Sequence, residues 1–250
     1  MNIGLYQGAS SLAALERWQD MVSKNITSSA APGFKKSEMS FEAVLGGMTR
    51  TGNEGSFGKN VDSSMPRQSV QISMEPGELH STGNELDFAI QGAGFFQVQK
   101  PDGQNGYTRD GQFRLSPDRT IVNSKGFPLM GDGGPITLKA GGGRVSVNDE
   151  GTIVQGDTQI GKLAIYTFAD PTKLKRIGDG LFGPGDTGGQ ATPVERPAVL
   201  SGALESSNSS PMREMISLVT ISRAYEANQR LILANNETSE KAIQALGTPT

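Results

Sequence analysis

The two ends of the chain constrain its fold more than anything between them. Residues 2–29 set Leu5, Leu12, Leu15, Val22 and Ile26 on a stripe spaced by threes, fours and sevens. Residues 211–246 do the same with Met215, Leu218, Tyr225, Ile232, Ile243 and Leu246. A seven-residue apolar repeat specifies a helix that needs another helix along its length. The apolar area on the first stripe is small against the entropy of ordering about 28 residues, so that helix does not stand alone. Gln19 interrupts one stripe, and Ser222, Gln229, Asn236 and Ser239 interrupt the other. Polar residues at such positions weaken a helix pair while fixing its register and partner number. The expectation is that both termini are loose in the isolated chain and become helical against neighbouring subunits. A self-contained αα hairpin capping a β domain is the alternative.

Between the ends the period changes to two. Val70, Ile72 and Met74 alternate, as do Leu86, Phe88 and Ile90. Phe95–Val98 forms another short strand, Pro101-Asp102-Gly103 a turn, and Tyr107, Phe113, Leu115 and Ile121-Val122 continue the pattern. Further strands are expected at 136–138, 145–147, 153–154 and 163–168. Turn signals every 8–12 residues argue for an antiparallel sandwich or barrel. The fold class is therefore α+β: discontinuous terminal helices forming a coiled-coil-like pair, with a central Gly-rich antiparallel all-β domain. The expected boundaries are an N-terminal helix over 1–31, an extended or hairpin linker over 32–80, a β domain over 81–200 and a C-terminal helix over 201–250. Pro32-Gly33 stops the first helix, and the polar run 46–64 reads as a flexible excursion. Pro211, after a run of serines that cap well, suits the first turn of the second helix.

Composition narrows the function. The apolar fraction is 35%, aromatics are 6%, and 33 of 250 residues are Gly. Such a lean, turn-rich chain is closer to an extended β protein than to a compact enzyme. Net charge is −3 with no block of like charges, which points to neither nucleic acid nor an anionic membrane. Cysteine is absent, excluding disulfides, thiolate catalysis and zinc–thiolate sites. No apolar run reaches the length of a membrane span, and no basic-then-apolar leader opens the chain.

The chemistry inventory is equally thin. The single histidine, His80, has no partner motif. Gly92-Ala93-Gly94 runs into Phe95-Phe96 and fails as a dinucleotide fingerprint, and Gly131–Gly134 and Gly141–Gly143 lack the Lys-Ser/Thr of a phosphate loop. Asp87, Asp102 and Asp110 lie on or near turns, but nothing selects two of them as a glycan-cleaving pair. The expectation is no catalytic residue, no cofactor and no metal.

Three blocks then resemble the bacterial flagellar basal-body rod and hook proteins. The first is Asn25-Ile26 through Pro32-Gly33-Phe34-Lys35 with Phe41. The second is Gly83-Asn84, Asp87–Gly92 and Gly94-Phe95-Phe96, continued by Tyr107-Thr108-Arg109-Asp110-Gly111-Gln112-Phe113 and Gly126-Phe127-Pro128. The third is Leu204–Asn208, Met215-Ile216 and Arg223-Ala224-Tyr225-Glu226-Ala227-Asn228. They span nearly the whole chain in order. Ser28, Ala31, Ser209 and Arg119 depart from the family's usual Asn, Thr, Val and Gly.

The resemblance implies a rod subunit, more like the proximal than the distal type. It implies a torque-carrying shaft passing through the periplasm, built from copies of the chain and other rod subunits. It implies export by the flagellar type III apparatus without a cleavable signal, and contacts with hook subunits and surrounding ring proteins. Leu12, Leu15, Val22, Ile26, Leu218, Tyr225 and Ile232 are the expected inner packing residues. From another class, the alternative is an exported carbohydrate-binding or glycan-cleaving β protein, although the one tryptophan, Trp18, lies on the first helix.

Overall fold

The computed structural model describes residues 3–44, 65–185 and 189–247, so the expected excursion over 46–64 lies outside the described residues. It is an α+β structure. Helix α1 covers Ile3–Thr27 and helix α2 covers Pro211–Gly247, with short strands between them in sequence. The chain divides into two compact units, one of Met1–Met21, Ser37–Gln71 and Val219–Thr250, the other of Val22–Lys36 and Ile72–Leu218. The divisions fall inside both helices.

In the first unit, β1 (Ser37–Val44) pairs with β2 (Met65–Ile72). On α1, residues 8, 12, 15 and 18 are covered to differing degrees while Gln19 and Asp20 are exposed, the signature of a one-sided helix. Leu15 and Ile221 are buried. Gly8 sits so close to α2 that a Cβ there would lie 2.8 Å from Cγ1 of Ile232.

The second unit carries the remaining strands. These are β3 (Leu79–Ser81), β4 (Phe88–Gln91), β5 (Phe95–Gln99), β6 (Asn105–Thr108), β7 (Phe113–Leu115), β8 (Ile121–Asn123), β9 (Met130–Gly131) and β10 (Gly134–Pro135). They continue as β11 (Val145–Val147), β12 (Thr152–Gln155), β13 (Thr158–Lys162), β14 (Ile165–Thr167), β15 (Lys175–Gly178), β16 (Leu181–Gly183), β17 (Thr192–Pro193), β18 (Ala198–Ser201) and β19 (Ala203–Glu205). A six-stranded sheet has the order β15-β16-β6-β5-β14-β17, and β4, β3 and β7 pair with β18, β19 and β8 in two-stranded ribbons. Both registers that build the sheet centre are antiparallel, Phe96 opposite Thr108 and Ile165 opposite Phe96.

Successive side chains leave a strand on opposite faces, which explains three apolar doublets. Phe96, Ile165 and Leu181 enter one core with Phe88, Val98 and Phe113, while their neighbours Phe95, Tyr166 and Phe182 meet Tyr107 and Phe168 on the other side. Edge-to-face rings close each core, Phe96–Phe113 at 5.5 Å and Tyr107–Phe168 at 4.9 Å between centroids. Two expected strands differ. Ile136 and Leu138 are buried, but the pairing there is an isolated bridge, Thr120 to Thr137, made by Leu138 N–H on Arg119 O and Ile121 N–H on Ile136 O. Over 163–168 only Ile165–Thr167 is strand, since Leu163 and Ala164 spend their N–H groups on Gly151 O and Met130 O. Val70, expected to alternate inward with Ile72, is exposed.

Candidate functional site

A buried polar cluster gathers six segments of the second unit: the end of α1, residues 33–36, residues 73–77, the loop after β6, the end of β19 and the approach to α2. Helix α1 stops because Ser29 N–H closes a tight turn onto Ile26 O and the Ser29 hydroxyl donates to that same carbonyl at 2.7 Å. The chain then turns at Gly33, whose φ is +66°. A Cβ there would collide with the backbone carbonyl of Arg109, so glycine is required both for the backbone angle and for the close approach. Gly33 N–H donates to Glu205 O at 2.7 Å, tying the exit of α1 to β19.

Lys35, Glu205 and Arg109 form the centre. Lys35 is 1% exposed, Glu205 2% and Arg109 7%. Lys35 Nζ donates to Glu205 Oε1 at 2.5 Å and to Glu75 O at 2.7 Å. Gly77 N–H donates to the same carboxylate oxygen at 2.9 Å, and a Cβ on Gly77 would strike Ser206 O. Arg109 Nη1 stands 3.4 Å from Glu205 Oε2 and donates to Ile90 O at 3.1 Å, while Nη2 donates to Gly92 O. Burial pulls the Lys35 ammonium below its ordinary pKa against the opposing pull of the Glu205 carboxylate, and burial lowers Arg109 in the same way. Two cations on one carboxylate, with backbone carbonyls taking the remaining donors, is how a buried charge is made tolerable.

Asn208 stitches the neighbouring segments. Its Oδ1 accepts from Lys36 N–H at 2.7 Å, and its Nδ2 donates to Ser73 O and Glu75 O, each at 3.0 Å. Its own N–H donates to Phe34 O. Ser209 Oγ donates to Asn25 O at 3.2 Å, and Asn25 Nδ2 donates to Glu214 Oε2 at 3.4 Å, so the last turn of α1 is bonded to the first turns of α2. Arg176 closes the outside, its guanidinium 4.5 Å from the Phe34 ring and 5.5 Å from Phe182, with Nη2 donating to Lys35 O.

Several of the residues that the sequence singled out meet here. Gly33 touches Arg109, Asn208 bonds Phe34, Asn25 bonds Ser209 and Glu214, Gly92 supplies a carbonyl, and Phe95 lies under the Arg109 guanidinium at 5.7 Å. Gly111 is pinned against Phe88, whose carbonyl a Cβ would strike, and Gly94 against Ile165. Asp87 does not join the clasp; it is buried and accepts from Thr82 Oγ1 at 2.7 Å and Asn84 Nδ2 at 3.0 Å. Thr108 Oγ1 accepts from Asp110 N–H, holding the loop that carries Arg109. Phe96 and Tyr107 serve the two cores.

On the helices, Val22 is buried, and Leu12, Ile26, Leu218, Tyr225 and Ile232 are half-buried. Met215, Arg223 and Glu226 are exposed, and the side chains of Leu5, Phe41, Ile243 and Leu246 lie outside the described ones. The pairing of Lys35 with Glu205, and the whole of Arg176, had no sequence signal, because the partners are 170 and 141 residues apart. The acids Asp87, Asp102 and Asp110 stay at their own turns, and His80 is exposed beside Glu78. Among the described residues no group of three His, Asp or Glu side chains is placed to hold a metal ion. No described helix is long and apolar enough to cross a membrane.

The side-chain bonds of the clasp run between segments far apart in the chain, which is the chemistry of a joint. Two family models match regions that contribute to it. Residues 89–155 match the flagellar hook protein FlgE/F/G D1 domain, and residues 200–245 match the flagellar basal body rod FlgEFG protein C-terminal region. A flagellar basal-body rod protein FlgF of Caulobacter vibrioides is 32% identical, with 99% of each chain covered. The FlgF of Rhizobium meliloti is 33% identical at the same coverage. A FlgG of Buchnera aphidicola is 29% identical over 90% of this chain and 92% of its own. The chain belongs to the flagellar basal-body rod protein family. It is a structural rod subunit of the flagellum, and its FlgF-named relatives are more similar than that FlgG. Arg109 falls in the first matched region and Glu205 and Asn208 in the second, whereas Gly33 and Lys35 precede both.

Proposed function

We propose that the chain is a drive-shaft subunit whose terminal helices assemble with neighbouring rod subunits, while the clasp passes torque from those helices to the β body. The observation that carries this reading is the two-sided character of α2. With 3.6 residues per turn, residues 214, 218, 221, 225 and 232 share one side, and these are buried or half-buried. Met212, Met215, Ile216 and Val219 share the opposite side and are 53–75% exposed. Four large apolar side chains in a row, uncovered on a helix that already covers its other face, mark an interaction surface. The closeness of Gly8 and Ile232 supports pairing of α1 with α2 as the unit that assembles.

In this reading residues 1–31 and 201–250 contribute to an inner tube, 32–80 bridges subunits and 81–200 supplies lateral contacts. Heterologous, head-to-tail packing of such units generates an open helical shaft. Leu5, Leu12, Leu15, Val22, Ile26, Leu218, Tyr225 and Ile232 serve the helix pair, and Met215 the neighbour. The subunit is of the proximal type, is exported to the periplasm by the type III apparatus without a cleaved leader, and meets hook and ring proteins at the ends and sides of the shaft. The test is a chain carrying Ile216→Glu and Val219→Glu. It is expected to fold as the parent does and to leave a null strain unable to swim, with no rod completed. Parental swimming would refute the assignment of that face.

A further inference from the structure

A cleft of about 430 Å³ opens beside the β7–β8 hairpin, away from the clasp. Leu86, Leu138 and Leu115 supply its apolar wall, with Leu115 47% exposed. Arg119 and Lys139 also line it, and neither side chain has a hydrogen-bond or ion-pair partner among the described residues. The one carboxylate in the lining among the described residues, Glu85, is already engaged: it accepts from Arg144 Nε at 2.6 Å and from Val145 N–H at 3.0 Å. The cleft therefore presents two uncompensated positive charges over a leucine surface.

Both cations are held at the root. Arg119 has φ +62°, a backbone region that side-chain-bearing residues avoid, and its peptide is bonded on both sides. Its N–H donates to Ser116 O at 2.8 Å and its carbonyl accepts from Leu138 N–H at 2.8 Å. Lys139 is locked by the buried Gln155, whose Oε1 accepts from Lys139 N–H at 2.8 Å and whose Nε2 donates to Lys139 O at 3.0 Å. Placing an arginine where glycine would be unstrained, and aiming it with a lysine into one cleft, is the pattern expected of a site that retains strain for use.

We propose that this cleft binds an extended acidic peptide segment of a partner protein, with a carboxylate between Arg119 and Lys139 and an aliphatic side chain against Leu86, Leu115 and Leu138. Charge complementarity selects an acidic occupant. The leucine wall selects a peptide over a carboxylated glycan, because sugar rings stack on flat aromatic faces and no aromatic residue among the described ones lines the cleft. The volume suits a few residues. The site is independent of the helix faces, so its failure leaves the assembly reading untouched.

The test uses the full chain and a fluorescent acetyl-Asp-Leu-Glu-Leu-Asp-amide probe followed by anisotropy, with the Asn/Gln analogue as the neutral control. Arg119→Gly removes the charge and relieves the backbone, so it is expected to melt no lower than the parent while binding the acidic probe about tenfold more weakly. Lys139→Gln should weaken binding similarly, and the neutral analogue should bind weakly to all forms. Three results would overturn the proposal: equal binding by parent and Arg119→Gly, equal binding of the neutral analogue, or no binding to the parent at about 1 mM probe. Preferential binding of trigalacturonate through Arg119 would overturn the choice of a peptide.

Discussion

The clasp and the outer face of α2 treat their side chains in opposite ways. In the clasp, charged groups that ordinarily seek water are almost fully buried, and nearly every donor finds an acceptor within the same chain. On α2, methionine, isoleucine and valine that ordinarily seek a core are left in water. A buried ion pair contributes little net stability over an apolar replacement, yet breaking it is expensive, so it specifies geometry more than it adds strength. An exposed apolar face does the reverse: it adds nothing to the single chain and becomes favourable only when another surface covers it. The first region fixes where the helices leave the β body. The second is reserved for what they meet.

The difference is broken most severely at Glu205. Glu205→Ala leaves Lys35 and Arg109 buried without their carboxylate and is expected to lower stability by about 3–5 kcal/mol, read by urea denaturation of the full chain. A loss under about 1 kcal/mol would mean that the pair is not what organises the joint. Gly33→Ala comes next. It forces a side chain into a left-handed backbone and onto the Arg109 carbonyl, with an expected cost of about 1–3 kcal/mol and a melting transition lowered accordingly. The doubly substituted Ile216→Glu, Val219→Glu chain should stay within about 0.5 kcal/mol of the parent in the same assay, even though swimming is lost. Equal stability losses at the clasp and on that face would erase the distinction between them.

The smallest effect concerns Asp110, in the loop that Gly33 touches. Burial raises its carboxyl above the ordinary aspartate value, with the Asp87 charge adding to the shift. A raised folded pKa means that the native chain binds the proton more tightly. Its contribution to stability is complete below the unfolded value and is lost as pH rises from there through the folded value. Asp110→Asn should therefore gain stability on the parent as pH rises through that window and be slightly more stable at neutral pH, measured by melting both chains between pH 3 and 7. A profile unchanged by the substitution would remove Asp110 from the account.

Much of this was legible in the sequence, and for identifiable reasons. The end stripes read as helices because 3.6-residue periodicity is local, and Phe95-Phe96 read as strand because alternation is local too. Gly33 and Gly111 could be flagged as special, but not for what: each is glycine because a backbone carbonyl from elsewhere, Arg109 or Phe88, occupies the space of a Cβ. Lys35 and Glu205 sat in recognised blocks, yet their pairing is a tertiary event with no local trace. Arg176 was invisible because an arginine in a polar strand reads as solvent-facing, whereas here it lies between Phe34 and Phe182. On α2 the heptad stripe took in Met215, which is exposed, and left out Ile221, which is buried, while Leu218, Tyr225 and Ile232 lie on the covered side. Periodicity gives a stripe its spacing, but only packing decides which of two apolar stripes faces inward.

The absence of native cysteine permits a direct test of the central claim, that the outer face of α2 is closed by a neighbouring subunit. A chain with Ile216→Cys, and a control with Asp102→Cys at an exposed turn of the β body, would each carry a single thiol. Maleimide labelling of the purified subunit and of isolated basal bodies compares the same residue free and assembled. The thiol at 216 is expected to react readily in the free subunit and to be protected in the assembled rod. Equal labelling at 216 in both preparations, with intact rods, would contradict it.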